Sequence, residues 1–223
     1  MRHLLAWMLV ALSADASAHA QQPPWSLLIQ SAQHGDYHGD EAPARPGSGW
    51  LALVRVQSQW HLLATSVSAE RVFDPVLDAD GETTGLRIGS THADAIALLR
   101  LPSLKPGMIA VSNLDDARTP LAEAAPLAIS FAGDEYVVEV TGDEVSLRKS
   151  LVRTRLDALT VGGPRSEDSA NVLWAGDLDG DGALDLLVNA FGSNRSGTCL
   201  YLSGAATPGA LVGLVACHSG VGC

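Results

Sequence analysis

The chain has 223 residues, with 14 Lys and Arg against 25 Asp and Glu, and a formal net charge of -11. A surface this acidic repels a phosphate backbone, so the composition argues against a nucleic-acid partner. No apolar run reaches the roughly 20 residues that a membrane span needs, and the length suits one all-β domain or two small ones.

The N-terminus has the layout of an export signal. Arg2 and His3 precede an apolar run from Leu4 to Leu12, and small residues lead to Ala18-His19-Ala20. We therefore predict a signal peptide over residues 1–20, with cleavage near Ala20 or, alternatively, after Ala18. The mature protein is expected to be secreted or periplasmic.

Residues 21–49 are rich in Pro, Gly, Gln and Asp and have little periodicity. This composition predicts a flexible N-terminal segment. The apolar stretch from Trp25 to Ile29 is the exception, and it predicts a short strand or docking segment.

Residues 50–160 are predicted to form an antiparallel β body. Trp50 to Val56 and Trp60 to Ala69 are apolar or alternating runs, and the polar residues between them indicate a hairpin. Turn signals about 8 to 12 residues apart are typical of a sandwich, a barrel or a propeller fragment. The further strand candidates are Thr84–Ile88, Ala95–Leu101, Leu127–Phe131, Tyr136–Thr141 and Val145–Leu147.

Helix signals are sparse. Asp94 to Leu101 is a candidate for one short helix. Pro208 to Ala216 is a second candidate, because Thr207 can act as its N-cap.

Residues 161–223 are predicted to form a C-terminal segment that packs on the β body. The polar connection from Val161 to Ser169 suggests a domain boundary. Beyond it the pattern reads as strand, acidic loop, strand, turn and strand, ending with Cys199 to Leu202.

The acidic loop places aspartates at positions 1, 3, 5 and 9, which are Asp177, Asp179, Asp181 and Asp185. Gly182 at position 6 supplies the backbone freedom for a tight turn around a hard cation. Four carboxylates about 4 to 6 Å apart repel one another by roughly 1 kcal/mol per pair even in water. A bound cation removes this repulsion, so the loop predicts a calcium ion.

The stretch from Trp174 to Val188 resembles the calcium-binding segment of FG-GAP (integrin α-type) repeats, in a single copy over roughly residues 171–203. The resemblance implies a loop between two β-strands with five ligands: the side chains of Asp177, Asp179, Asp181 and Asp185 and the backbone carbonyl of Ala183. One copy cannot supply the about 4 to 8 blades of a propeller. The expected fold is therefore an all-β protein, an antiparallel sandwich or barrel-like domain carrying an FG-GAP-like calcium-loop hairpin, and not a complete propeller.

An EF-hand is excluded on two grounds. Its loop requires a bidentate Glu at position 12, which here is Val188. The apolar run from Leu186 to Val188 also favours a strand over an exiting helix.

Two other polar stretches are weaker metal candidates. One could bind zinc or copper, although a solvated acidic turn is the favoured interpretation; its residues are His34, Asp36, His38, Asp40 and Glu41. The other could be a second calcium site, although a hairpin turn is favoured because position 9 lacks a ligand; its residues are Asp74, Asp78, Asp80 and Glu82.

Cys199, Cys217 and Cys223 lie near the C-terminus of a chain predicted to enter an oxidising compartment. One disulfide is expected, and the sequence permits three pairings. We favour a bridge that includes Cys223, because it would tie down the C-terminus.

The function expected from the sequence is that of an exported calcium-binding β protein in which calcium is structural. No catalytic motif is present, so an enzyme is not expected. The ligand, the partner and the biological process stay open.

Two alternatives come from other functional classes. A binding or adhesion module for a glycan or a protein would expose Trp50, Trp60 and Trp174. A hydrolase accessory domain would have a deep pocket lined by paired carboxylates or by histidines, for which the candidates are His61, His92 and His218.

Overall fold

The computed structural model describes residues 26–29, 37–39, 41–42, 47–114, 119–121, 125–142, 144–160, 169–192 and 195–221. The predicted signal peptide, residues 161–168 of the predicted domain connection and Cys223 lie outside these residues.

The described residues form fifteen strands and one 3₁₀ turn. In chain order the strands are β1 (Leu27–Leu28), β2 (Gly47–Val56), β3 (Gln59–Val72), β4 (Gly85–Ser90), β5 (Ala97–Leu99), β6 (Gly107–Val111), β7 (Thr119–Leu121), β8 (Leu127–Phe131), β9 (Asp134–Thr141), β10 (Glu144–Lys149), β11 (Val152–Thr160), β12 (Ser169–Asp177), β13 (Asp185–Gly192), β14 (Arg195–Leu202) and β15 (Gly213–Val221). The 3₁₀ turn, η1 (Ser203–Ala205), follows β14.

The larger of the two sheets is antiparallel and nearly closed. Its strand order is β1-β5-β2-β3-β6-β12-β13-β14-β15, with β4 paired to β3 and β7 paired to β12. The two end strands, β1 and β15, also contact each other, so the sheet curls into a barrel. This confirms the predicted all-β, barrel-like class. Strands from both sides of residue 160 share the sheet.

The barrel interior is filled by apolar side chains from strands all around the sheet. Leu53, Leu62, Leu99, Leu187 and Leu200 belong to one buried cluster although they come from five different strands. Successive side chains of a strand point to opposite faces, so every second residue of these strands points inward.

The smaller sheet covers the outer face of the barrel. Its order is β11-β10-β9-β8, and all its pairs are antiparallel. Ile129, Val138 and Leu147 from this sheet share a buried cluster with Leu186 and Val188 of β13. Strand β13 is therefore buried on both faces, which accounts for its continuous apolar run.

The N-terminal residues that the structure describes are docked on the barrel. Leu27 and Leu28 form β1 beside β5, which confirms the short strand predicted between Trp25 and Ile29. Tyr37 exchanges backbone hydrogen bonds with Leu86 and lies buried in a third apolar cluster.

Both predicted helices are wrong. The first candidate contains β5, which pairs with β1 on one side and β2 on the other. The second contains a turn and the start of β15, which pairs with β14 over most of its length. Hydrogen bonds across the sheet decided the structure of both stretches.

No helix among the described residues is long and apolar enough to cross a membrane.

The disulfide joins Cys199 to Cys217, so the preference for a bridge including Cys223 was wrong. The two residues lie directly opposite each other on β14 and β15, with their Cα atoms 4.1 Å apart. Antiparallel pairing brings such partners within bonding distance. The register of the last hairpin therefore selected the pairing.

Candidate metal centre

The acidic loop joins the end of β12 to the start of β13, as the sequence predicted. Leu178 and Leu184 anchor its two ends, and each is nearly fully buried. Leu178 packs in the barrel interior, whereas Leu184 packs between the two sheets. The polar residues between them are thereby held at the surface in a defined loop.

Gly176 lets β12 pass close to its neighbours just before the loop. A Cβ atom at this position would collide with the carbonyl oxygen of Ala110 and would lie 2.6 Å from Cζ2 of Trp174. Glycine is thus required for the strand to enter the loop beside β6.

Three of the four predicted aspartates come together. One carboxylate oxygen each from Asp177, Asp179 and Asp185 lies within 4.8 Å of the others. Oxygens bound to one cation at 2.3–2.6 Å lie at most about 5 Å from each other, so this group could hold a metal ion. It is the one such group found among the described residues.

Backbone N–H groups shape the loop around Asp177. Its Oδ1 accepts hydrogen bonds from Gly180 N at 2.7 Å and Asp181 N at 3.1 Å, and its Oδ2 accepts one from Gly182 N at 3.0 Å. Gly182 has φ +84°, a conformation that glycine adopts without strain. The loop geometry is therefore specified by its own residues.

Asp185 is the buried member of the group. Its Oδ2 accepts a hydrogen bond from Leu178 N at 2.6 Å, and its Oδ1 accepts bonds from Ser203 N at 2.7 Å and Ser203 Oγ at 2.8 Å. Burial raises the pKa of Asp185 to about 7 even though these donors act in the opposite direction. The carboxylate thus ties both ends of the loop to the end of β14.

The pKa of Asp179 is raised by its buried position and by the neighbouring carboxylates. Burial raises its pKa above the ordinary value, and the charges of Asp181 and Asp177 raise it further. A hydrogen bond from Asp181 N to Asp179 Oδ1, at 3.3 Å, acts the other way without cancelling the effect. A cation placed among these oxygens would relieve the repulsion.

The fourth predicted aspartate, Asp181, does not join the group of three. Ser203 Oγ lies 2.9 Å and 3.0 Å from its two carboxylate oxygens, so Asp181 and Asp185 share the single hydroxyl donor of Ser203. Ser203 was not predicted, because it lies on η1, far along the chain, and no local pattern marks it. The carbonyl of Ala183 stays a predicted ligand.

The first weaker candidate is only partly within the described residues, since His34, Asp36 and Asp40 lie outside them. Nδ1 of His38 lies 2.5 Å from Oδ2 of Asp74. His38 therefore docks against the barrel, and its carbonyl oxygen accepts a hydrogen bond from Glu41 N at 3.0 Å. Burial raises the pKa of Asp74, but hydrogen bonds from His38 and two backbone N–H groups outweigh it and hold that pKa below its ordinary value.

The second candidate is a turn, as favoured. Asp78 accepts hydrogen bonds from Asp74 N and Thr84 N, both at 2.8 Å. Glu82 accepts one from Ala79 N at 2.9 Å. These carboxylates close the loop between β3 and β4.

Burial affects four of the residues named for the alternative functional classes. Trp50, Trp60 and Trp174 are all buried, so they present no aromatic binding surface. His218 is buried beneath Tyr37, where its Nε2 lies 2.8 Å from the carbonyl oxygen of Glu41. It packs the N-terminal residues against β15.

Comparison of the chain with protein-family models, with curated proteins and with solved structures finds no match. The interpretation of the site therefore depends on its own residues.

Proposed function

We propose that the loop from Asp177 to Asp185 binds a calcium ion that stabilises the β12–β13 hairpin of an exported protein. The observation that carries this proposal is the meeting of three carboxylates from one short loop within 4.8 Å. Asp181 and the carbonyl of Ala183 would complete the ligand set that the FG-GAP resemblance implies.

The chemistry of the donors favours calcium over other metals. Every candidate ligand is an oxygen, whereas zinc and copper prefer nitrogen or sulfur. Calcium accepts 6 to 8 oxygens in irregular geometry. Magnesium demands a near-ideal octahedron, which the closely spaced aspartates of one short loop satisfy poorly.

The role of the ion would be structural. Asp177 ends β12 and Asp185 begins β13, so an ion between them links two neighbouring strands. An extracellular site as weak as roughly 10⁻⁴ to 10⁻³ M is still occupied at millimolar calcium. At ten times the dissociation constant the ion would add about 1.4 kcal/mol to the free energy of unfolding.

Export is part of the same proposal. The Cys199–Cys217 disulfide supports an oxidising compartment, which the predicted signal peptide also implies. The mature chain would meet calcium there at concentrations that a weak site can use.

Isothermal titration calorimetry on the metal-free protein tests the proposal. Calcium should bind at one site, magnesium more weakly, and zinc without preference for the loop. Asp177→Asn should abolish the calcium signal, and Asp157→Asn should leave it unchanged because Asp157 lies on β11 and outside the group. Absence of calcium binding at millimolar concentrations, or binding that survives Asp177→Asn, would refute the assignment.

A further inference from the structure

A cleft of about 540 Å³ lies between β11 and the chain that links η1 to β15. We call it the β11 cleft. This volume falls within the about 300 to 1,000 Å³ typical of small-molecule sites. Its lining includes Arg153, Arg155, Asp157, Tyr201 and Leu214. None of these residues belongs to the acidic group.

The walls of the cleft are held together by hydrogen bonds. Leu211 N donates to Thr154 Oγ1 at 2.7 Å, which fixes the linking segment to β11. The hydroxyl of Tyr201 donates to the carbonyl oxygen of Asp157. A turn closed by Ala210 N and Thr207 O, at 2.9 Å, shapes the far wall. The cleft is therefore formed before any ligand arrives.

Arg155 has hydrogen-bonding capacity to spare. Its side chain is 62% exposed, its Nε lies 3.5 Å from Asp157 Oδ1, and its Nη1 lies 3.9 Å from Glu144 Oε2. Both distances exceed the about 2.7 to 3.2 Å of an N–H···O hydrogen bond. The nearby acids orient the guanidinium without consuming its donors.

Arg153 adds a second positive charge at the same wall. Its Nε donates to Ser146 Oγ at 2.9 Å, while its Nη2 stays 3.6 Å from Glu144 Oε1. Two arginines thus line one cleft, with the carboxylates of Asp157 and Glu144 beside them. A guanidinium fork matches a carboxylate or phosphate through paired N–H···O bonds.

The rest of the lining is partly apolar. Pro208, Val212 and Leu214 lie on the wall of the linking segment, and Leu214 is 43% exposed. Such a wall suits a compact apolar or ring-shaped body more than a bare ion. Burial raises the pKa of Tyr201, so its ring beside this wall stays neutral.

We propose that the β11 cleft binds a small ligand that carries a carboxylate or phosphate group on a compact ring or apolar body, with Arg155 holding the oxyanion. This inference is independent of the calcium proposal. It concerns binding and requires no reaction.

The test is a set of calorimetric or NMR titrations with benzoate, glucuronate, inorganic phosphate and neutral glucose. Each is run on the mature chain with and without calcium, which separates binding by the arginines from binding through a metal. The variants are Arg155→Gln, Arg155→Lys and the matched control Arg71→Gln, whose exposed guanidinium lies on β3. Thermal melts establish that each variant is folded.

Benzoate or glucuronate should bind at one site in the wild type, and glucose should not. Arg155→Gln should weaken this binding at least about tenfold, because hydrogen bonds to a charged group are lost. Arg155→Lys should weaken it less, and Arg71→Gln should leave it unchanged. Tighter binding of the organic acids than of phosphate would support a role for the apolar wall.

Three results would overturn the proposal. One is the absence of saturable binding of all three anions at millimolar concentrations. Another is equal affinity in the wild type and in both Arg155 variants, which would place the anion elsewhere. Phosphate binding as tightly as the organic acids would overturn the assigned ligand class, since the wall would then contribute nothing.

Discussion

Neutralising one carboxylate of the acidic group should stabilise the protein without calcium and remove most of its response to calcium. Asp179→Asn keeps the shape of the side chain and deletes one charge. Oxygens within 4.8 Å of each other repel by at least about 0.9 kcal/mol per pair in water. Asp177 is a charged partner of Asp179, and Asp185, with a pKa of about 7, is a partly charged one near neutral pH, so the substitution should raise the free energy of unfolding in chelator by about 1 to 2 kcal/mol.

Calcium should cancel or reverse this difference in stability. At ten times the dissociation constant the ion should stabilise the wild type by about 1.4 kcal/mol, which raises a melting midpoint by about 3–6 °C for a protein of this size. The variant should show little of this rise. The two melting curves should therefore exchange order or converge between chelator and calcium.

Differential scanning calorimetry in chelator and in calcium measures both effects. Asp80→Asn is the matched control, because Asp80 is exposed and lies outside the group. The reasoning fails if Asp179→Asn is less stable than the wild type in chelator, which would mean that the hydrogen bond from Asp181 N outweighs the repulsion. It also fails if both proteins respond equally to calcium.

Three further predictions concern the fold. Gly176→Ala should lower the free energy of unfolding by about 1 to 3 kcal/mol in denaturant titrations, because the added Cβ has no room. Gly47→Ala is the control and should have little effect, because a Cβ there meets nothing within 4 Å. Equal effects of the two substitutions would contradict the close approach at Gly176. Replacing both Cys199 and Cys217 by Ala should lower the free energy of unfolding by about 3 kcal/mol, since the two residues are 18 positions apart in the chain. An unchanged midpoint of denaturation would count against the disulfide. Burial lowers the pKa of His218, so as the pH falls the unfolded chain binds this proton before the folded one does. Stability should therefore fall as the pH drops below about 6.5, and His218→Gln should reduce this dependence of stability on pH. An identical pH dependence in both proteins would refute the lowered pKa of His218.

Much of the strand order was predictable because it follows local periodicity. The hairpin of β2 and β3 and the strand on each side of the acidic loop were predicted near their observed positions. Strands β6, β7, β11 and β15 were missed, and the start of β15 was part of a predicted helix. The first two are short, and β11 interleaves charged residues with its apolar ones, so its strand character depends on pairing with β10.

The candidate site was predictable to the same extent. Spacing within one loop identified Asp177, Asp179 and Asp185, and the structure brings these three together. The spacing could not show that Asp181 is hydrogen-bonded to Ser203, because Asp181 lies in the acidic loop and Ser203 lies on η1, far along the chain. The β11 cleft could not be predicted from the sequence either, since its walls come from distant parts of the chain.

The sequence by itself determined the β class, the turns and the acidic loop, because these depend on neighbouring residues and on the two-residue period of a strand. The tertiary structure alone decided which strands pair, and hence the near closure of the barrel, the Cys199–Cys217 bridge and the replacement of two predicted helices by strands. It also decided that Trp50, Trp60 and Trp174 are buried. Burial and pairing arise from contacts between residues far apart in the chain, and local pattern carries no information about those contacts.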